Sequence, residues 1–174
     1  MDALTTPIID TNSQIDAILA DSTGKPEYKT LRLDEYQIAQ WWPVLAQTIA
    51  ASVPPPWDSS GYITPRVFQE LQAGKMQAWI MVADREPKPE VCMIATTRWG
   101  QDAVTGEKHL VLFSLYGYEP VGSEVLEDAF QTLARFARGG GASRILAYTC
   151  NARVVELADR TGADTAWRFL HWRV

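Results

Sequence analysis

The sequence predicts a single α/β domain of the mixed α+β kind. It should hold one mostly antiparallel sheet of about six to seven strands flanked by about four helices, in the order β-α-α-β-β-β-α-β-α-β. Three observations lead there. MQAWIMVAD (76–84), EVCMIATTRW (90–99) and KHLVLFSLY (108–116) are β-branched or aromatic runs separated by the polar turns DREPKP and GQDAVTGE, the pattern of an antiparallel meander. SEVLEDAFQTLARFAR (123–138) sets Val125, Leu126, Ala129, Phe130, Leu133, Phe136 and Ala137 on one helical stripe. A strand run, RILAYTC (144–150), follows it, which implies a right-handed crossover between two parallel strands. Finally, a chain of 174 residues with 47% hydrophobic composition can bury about 70% of its unfolded surface without disulfides, and no apolar run nears the ~20 residues of a membrane helix.

The remaining elements follow in order. Residues 1–26 read as a polar arm ahead of a domain at 27–174: Asp2, Asp10, Asp16 and Asp21 lie among Thr, Ser and Asn, with Ile15, Ile18 and Leu19 as a short apolar pattern. YKTLRL (28–33) is a strand. In DEYQIAQWWPVLAQTIAAS, Asp34 and Gln37 make a capping box, and Ile38, Trp41, Trp42, Leu45 and Ile49 recur at helical spacing. Pro43 has no N–H to give the carbonyl four residues back, so a kink or restart is expected there. A second helix has Thr64 as N-cap, Pro65 at its first position, Val67, Phe68 and Leu71 as its buried face, and Gly74 as its stop. GGGAS ends the 123–138 helix, ARVVELADRTG (152–162) is a helix closing on Gly162, and TAWRFLHWRV (165–174) is a final strand.

Charge and composition exclude several classes. A net charge of −5 argues against nucleic acid as a partner, because neutralising phosphates demands a surplus of cations. The local group Arg135, Arg138, Arg144 and Arg153 reads as solvated faces of helices and a strand start. Cys92 and Cys150 both lie in apolar strand-like runs, so two buried, reduced thiols and no disulfide are expected. With His109 and His171 as the only histidines, no zinc site is expected. The N-terminus has no basic start followed by an apolar core, which argues against a secreted protein and for a cytoplasmic one.

Two stretches invite contact. VPPPWDSSGY is a stiff connector whose Trp57 and Tyr62 suit docking to a protein partner or a second copy, together with the N-terminal arm; no membrane contact is expected. GYEPVGSEVLEDAF (117–130) joins a strand end to a helix start through Gly and Pro, the local geometry in which backbone N–H groups and the helix dipole hold a phosphate.

Over residues 28–174 this order and these lengths resemble the GNAT superfamily of acetyl-CoA-dependent N-acyltransferases. The most specific part is YTCNARVVELADRTGADTAWRFL, in which Asn151, Leu157 and Gly162 stand in the family's places. LQAGKMQAWIMVAD further resembles phage-encoded GNAT-like proteins. The resemblance implies that coenzyme pyrophosphate would sit on the loop after the fourth strand, with Gly122, Ser123 and Asn151 as its binding residues. The family's loop carries Arg or Gln, then Gly, then Gly or Ala. Here Gly122 fits, but Glu119 and Glu124 occupy the other two positions, and a carboxylate near a pyrophosphate repels it. The family's Tyr after the Leu157 position, a general acid, is Ala158, and the Phe that often follows the helix-ending Gly is Ala163. Tyr116 and Tyr118 are replacement acids and Glu119 a replacement base, with His109 and Tyr148 further off.

Three functions are therefore open. One is a GNAT-fold, phage-type protein that has lost its catalysis, needs no cofactor and serves as a structural or interaction component, in a virion or in the host cytoplasm. The alternative is an N-acetyltransferase that uses acetyl-CoA on an amine, helped mainly by positioning. A third is a small-molecule or acyl-group sensor that keeps the groove without turnover. Fold alone does not choose among them.

Overall fold

Strand and helix segments follow one another as the sequence patterns require over residues 27–53 and 63–166, which the computed structural model describes. They are β1 (Tyr28–Arg32), α1 (Glu35–Ser52), α2 (Ile63–Gln72), β2 (Met76–Ala83), β3 (Glu90–Gln101), β4 (Lys108–Gly117), α3 (Ser123–Gly139), β5 (Arg144–Ala147) and α4 (Ala152–Arg160). One sheet of five strands runs in the order β1-β2-β3-β4-β5. The first four strands pair antiparallel, and β4 and β5 pair parallel across α3.

Both faces of the sheet are covered, which explains why β2 is apolar but for Gln77 and buried at every residue. Ala78, Ile80 and Val82 pack with Ile94 and Phe113 against Ile38, Leu45 and Ile49 of α1 and Val67 and Leu71 of α2. Trp79 and Met81, pointing the other way, meet α3 through Leu133 and Phe136, and through Val125, Leu126 and Ala129. The Asp34–Gln37 capping box forms as expected, and Gly74 ends α2 at φ 69°, a conformation that suits glycine. Gly140 lies flat against the Trp99 ring at the end of α3, where any Cβ would collide.

Several expectations change. The sheet has five strands among the described residues, fewer than the six to seven expected; Thr165 and Ala166 are not in a strand, and the rest of the final strand (167–174) lies outside the described residues. The arm (1–26) and the connector residues Trp57 and Tyr62 also lie outside them. α1 does not restart at Pro43 but continues for 18 residues, because the carbonyl deprived of its donor belongs to Ala39, which is exposed to solvent. α2 begins at Ile63, ahead of Thr64; Pro65 is tolerated there because first-turn N–H groups have no helical acceptor. Cys150 is exposed and Cys92 buried, and both are free thiols. Among the described residues no helix is long and apolar enough to cross a membrane, and no group of His, Cys, Asp or Glu could hold a metal ion.

β5 stops at Ala147, three residues before the expected end at Cys150, and the reason lies in β4. Thr96 of β3 pairs with Ser114 while Thr97 pairs with Leu112, so Phe113 is an extra residue that bends β4. The β4–β5 ladder ends at Leu112 and Ala147, the pair just before that bulge. From Phe113 to Gly117, β4 pairs with β3 alone, and no other described strand pairs with its far edge. Ile94, 1% exposed opposite this region, anchors the core. Truncating it in Ile94→Ala should lower unfolding free energy by about 2–5 kcal/mol in a urea titration.

Candidate functional site

The site starts where β4 releases the chain. Tyr118 N–H donates to Cys92 O at 2.9 Å, extending the β3–β4 pairing by one residue, and the loop then reaches Gly122, the N-cap of α3. Gly122 has φ −63° and ψ 153° and offers no side-chain acceptor, whereas α1 is capped by Asp34 and α4 by Asn151. The first helical bond runs from Leu126 N–H to Gly122 O at 3.2 Å. The amides of the first turn, at Ser123, Glu124 and Val125, therefore point out of the helix with its positive dipole end behind them.

Of these residues Ser123 borders a small cleft of about 90 Å³ between the start of α3 and α4. Val121, Ser123 and Leu126 form one wall; Arg153, Glu156, Leu157 and Arg160, recurring at helical spacing along α4, form the other. The Arg153 guanidinium lies 3.4 Å from Val121 O, to which it donates, and Arg160 pairs with Glu127 of α3 at 2.6 Å.

The two carboxylates that the sequence set against an anion are turned elsewhere. Glu119 receives two hydrogen bonds from Arg85 of the β2–β3 hairpin, at 2.6 and 3.1 Å, and the same guanidinium donates to Glu90 at 2.6 Å. Glu124 and Asp128 line a separate cleft of about 230 Å³ on the other flank of α3, beside Tyr28 and Thr30 of β1. Neither Glu119 nor Glu124 borders the α3–α4 cleft.

Electrostatics follow from these contacts. The Arg85 hydrogen bonds hold Glu119 below the usual carboxylate range, with the Cys92 thiol as the second cause. A carboxylate so held has little affinity for a proton, which makes Glu119 a poor general base. Burial, then Glu119 itself, pushes the Cys92 thiol up to about 12, so it is neutral and unreactive at pH 7. Tyr116 and Tyr118 sit half-buried at the open end of β4 with ring centroids 5.1 Å apart at 74°. Burial and then Tyr116 raise the Tyr118 phenol above its ordinary value, so it is a proton donor at neutral pH.

The predicted site residues thus fall into three places. Gly122 and Ser123 stand at the uncapped start of α3, with Ser123 in the cleft wall. Asn151 instead accepts the N–H of Arg153 at 3.0 Å as the cap of α4. Tyr116, Tyr118 and Glu119 lie at the strand end and loop; His109 is at the opposite end of β4, and Tyr148 follows β5. Arg85, Arg153 and Arg160 were not singled out as site residues. The spacing of 153, 156, 157 and 160 was the available signal for the last two, whereas nothing local to the DREPKP turn marks Arg85.

No protein-family model and no curated protein matches the sequence. Solved structures match its fold. A ribosomal-protein-alanine N-acetyltransferase from Brucella melitensis biovar Abortus 2308 superposes with a TM-score of 0.56 at 16% identity, over 84% of this chain and 99% of that one. A predicted acetyltransferase from Clostridium acetobutylicum, solved with acetyl-CoA, gives 0.57 at 15% identity over 83% and 96%. AAC(6')-Iy, solved with the bisubstrate analogue CoA-S-monomethyl-acetylneamine, gives 0.59 at 13% identity over 85% and 98%. The chain has the GNAT acetyltransferase fold.

Two outcomes check this electrostatic description. Because the folded Glu119 value is lowered, its stabilisation is complete above the ordinary value of 4.5 and is lost as pH falls through the lower folded value. Thermal midpoints measured from pH 7 to pH 3 should therefore drop more steeply for the native sequence than for Glu119→Gln. Iodoacetamide at pH 7.5 should label Cys150 in the folded protein, and Cys92 only after unfolding, as read by peptide mass.

Proposed function

We propose that this chain is an acyl-CoA-binding N-acyltransferase, with acetyl-CoA as donor and an amine as acceptor. The observation that carries the reading is the uncapped start of α3, opening onto a cleft with Arg153 while Glu119 and Glu124 are turned away from it. The coenzyme diphosphate would meet the amides of Ser123, Glu124 and Val125 and the Arg153 guanidinium. Its amide-bearing arm suits the open β4 edge from Phe113 to Gly117, whose backbone groups can pair with an extended ligand.

Acetyl-CoA supplies the thioester when bound; the chain's own part is to orient the reacting groups and exclude water. Amine attack on a thioester needs little more than a near-attack geometry and a proton donor for the departing sulfur. With Ala158 lacking a phenol, Tyr116 and Tyr118 are the donors nearest the strand end, and the raised value of the Tyr118 phenol suits that role. The solved neighbours that hold acetyl-CoA or its analogue support a coenzyme here, against the expectation of none. The reading as a phage or virion component drew on Glu119 and Glu124, which leave the cleft clear, and on the arm and connector, which lie outside the described residues. It therefore has no independent support.

Isothermal titration with acetyl-CoA should give micromolar affinity, and no heat at millimolar coenzyme would overturn the reading. Arg153→Ala should weaken binding about tenfold, the worth of one charge-assisted hydrogen bond. Gly122→Asp separates function from stability. No atom lies within 4 Å of a Cβ at this position, so the aspartate fits and caps α3. It should raise unfolding free energy by a few tenths of a kcal/mol while abolishing coenzyme binding.

A further inference from the structure

We propose that Arg85 is a positioning residue for the loop between β4 and α3. From the β2–β3 hairpin it draws Glu119 away from the start of α3 and cancels its charge, so that the loop presents backbone N–H groups, and no carboxylate, to an anion. The anion is the coenzyme diphosphate, so the inference rests on the function proposed above for its ligand but not for its geometry.

The geometry is a two-point clamp across 34 positions of sequence: Arg85 Nη2 to Glu119 Oε1 at 2.6 Å and Nη1 to Oε2 at 3.1 Å. A planar guanidinium gripping both oxygens of one carboxylate fixes its orientation as well as its position, which a lysine could not do. The groups facing the pair come from each neighbouring element. Glu90 at the start of β3 accepts at 2.6 Å from the same Nη1 that reaches Glu119 Oε2, and Tyr28 of β1 favours the charged guanidinium as well. The Cys92 thiol, which donates to Glu90 O at 3.5 Å, also helps hold Glu119 in its charged form. Cys92 is itself the extra residue of a bulge on β3, where Met81 pairs with Met93 and Val82 with Val91. Both partners of the clamp are about one third exposed, so the pair is reachable by salt and by mutation without emptying the core.

A mere staple between hairpin and loop would share this geometry but not its charge logic. Arg85→Ala frees a carboxylate three residues from Gly122. At pH 7.5 and low salt it should weaken acetyl-CoA binding about fivefold, with the loss shrinking in high salt. The double variant Arg85→Ala with Glu119→Gln should recover most of that loss. The single variant's affinity should also decline from pH 4 to pH 6 as Glu119, returned to its ordinary range, ionises; the native protein should not show this decline. Equal affinities for the native protein and Arg85→Ala, or a double variant no better than Arg85→Ala, would overturn the inference. If the native protein binds no acetyl-CoA, the proposed function fails, and amide hydrogen exchange of the ligand-free protein judges the clamp. Exchange at 118–124 should be at least about threefold faster in Arg85→Ala, and in Glu119→Gln should one variant fold poorly, while unchanged exchange would reject it.

Discussion

One extra residue in β4 governs the architecture of the site. A parallel pair of strands joined by a helix ordinarily zips along its whole length, because each unpaired backbone group beside a buried sheet is a loss. Phe113 breaks that continuity. By inserting between Leu112 and Ser114 it bends β4 where the ladder to β5 stops, and it faces α1 and α2 while Leu112 and Leu115 both face α3. Buried polar contacts hold the shift. Thr96 and Ser114 share a hydrogen bond of 2.6 Å, and Thr97 both donates to Gln77 and accepts from Trp79. None of these groups can leave its partner without stranding a polar atom in the core, so the bulge is set by the interior and the opening follows from it.

Around that opening the charges are sorted by side. α3 carries Glu124, Glu127 and Asp128 near its start, which from sequence alone reads as an acid-rich first turn that saturates the dipole. In three dimensions the helix distributes them: Glu124 and Asp128 look toward β1, and Glu127 reaches Arg160 on α4. With Glu119 drawn to the hairpin, the amides of the first turn remain the strongest positive feature of the α3 start, reinforced by Arg153.

Much of the fold was legible because it is local. β-branched and aromatic runs between polar turns marked β2, β3 and β4; the stripe from Val125 to Ala137 marked α3; Asp34 with Gln37, and Gly74 and Gly162, marked helix ends that the structure keeps. What was hidden depends on distant partners. The end of β5 is decided by a bulge on another strand, and the orientation of Glu119 by an arginine in a hairpin far back in the chain. The continuity of α1 through Pro43 depends on the exposure of Ala39. Arg153 was visible but read as solvated, since a charged helix face carries no label for the groove it borders. The same limit explains why a loop matching the family pattern at Gly122 alone looked unfit for an anion, although the helix start behind it carries no side-chain cap.

In the proposed function the start of α3 receives the anionic end of a coenzyme. Nitrogen–proton spectra of the labelled protein during titration with acetyl-CoA test it residue by residue. The account predicts the largest shifts at the amides of Ser123, Glu124 and Val125, at the side chain of Arg153, and along Phe113 to Gly117. Saturable shifts confined to other surfaces, or none at millimolar coenzyme, would contradict it.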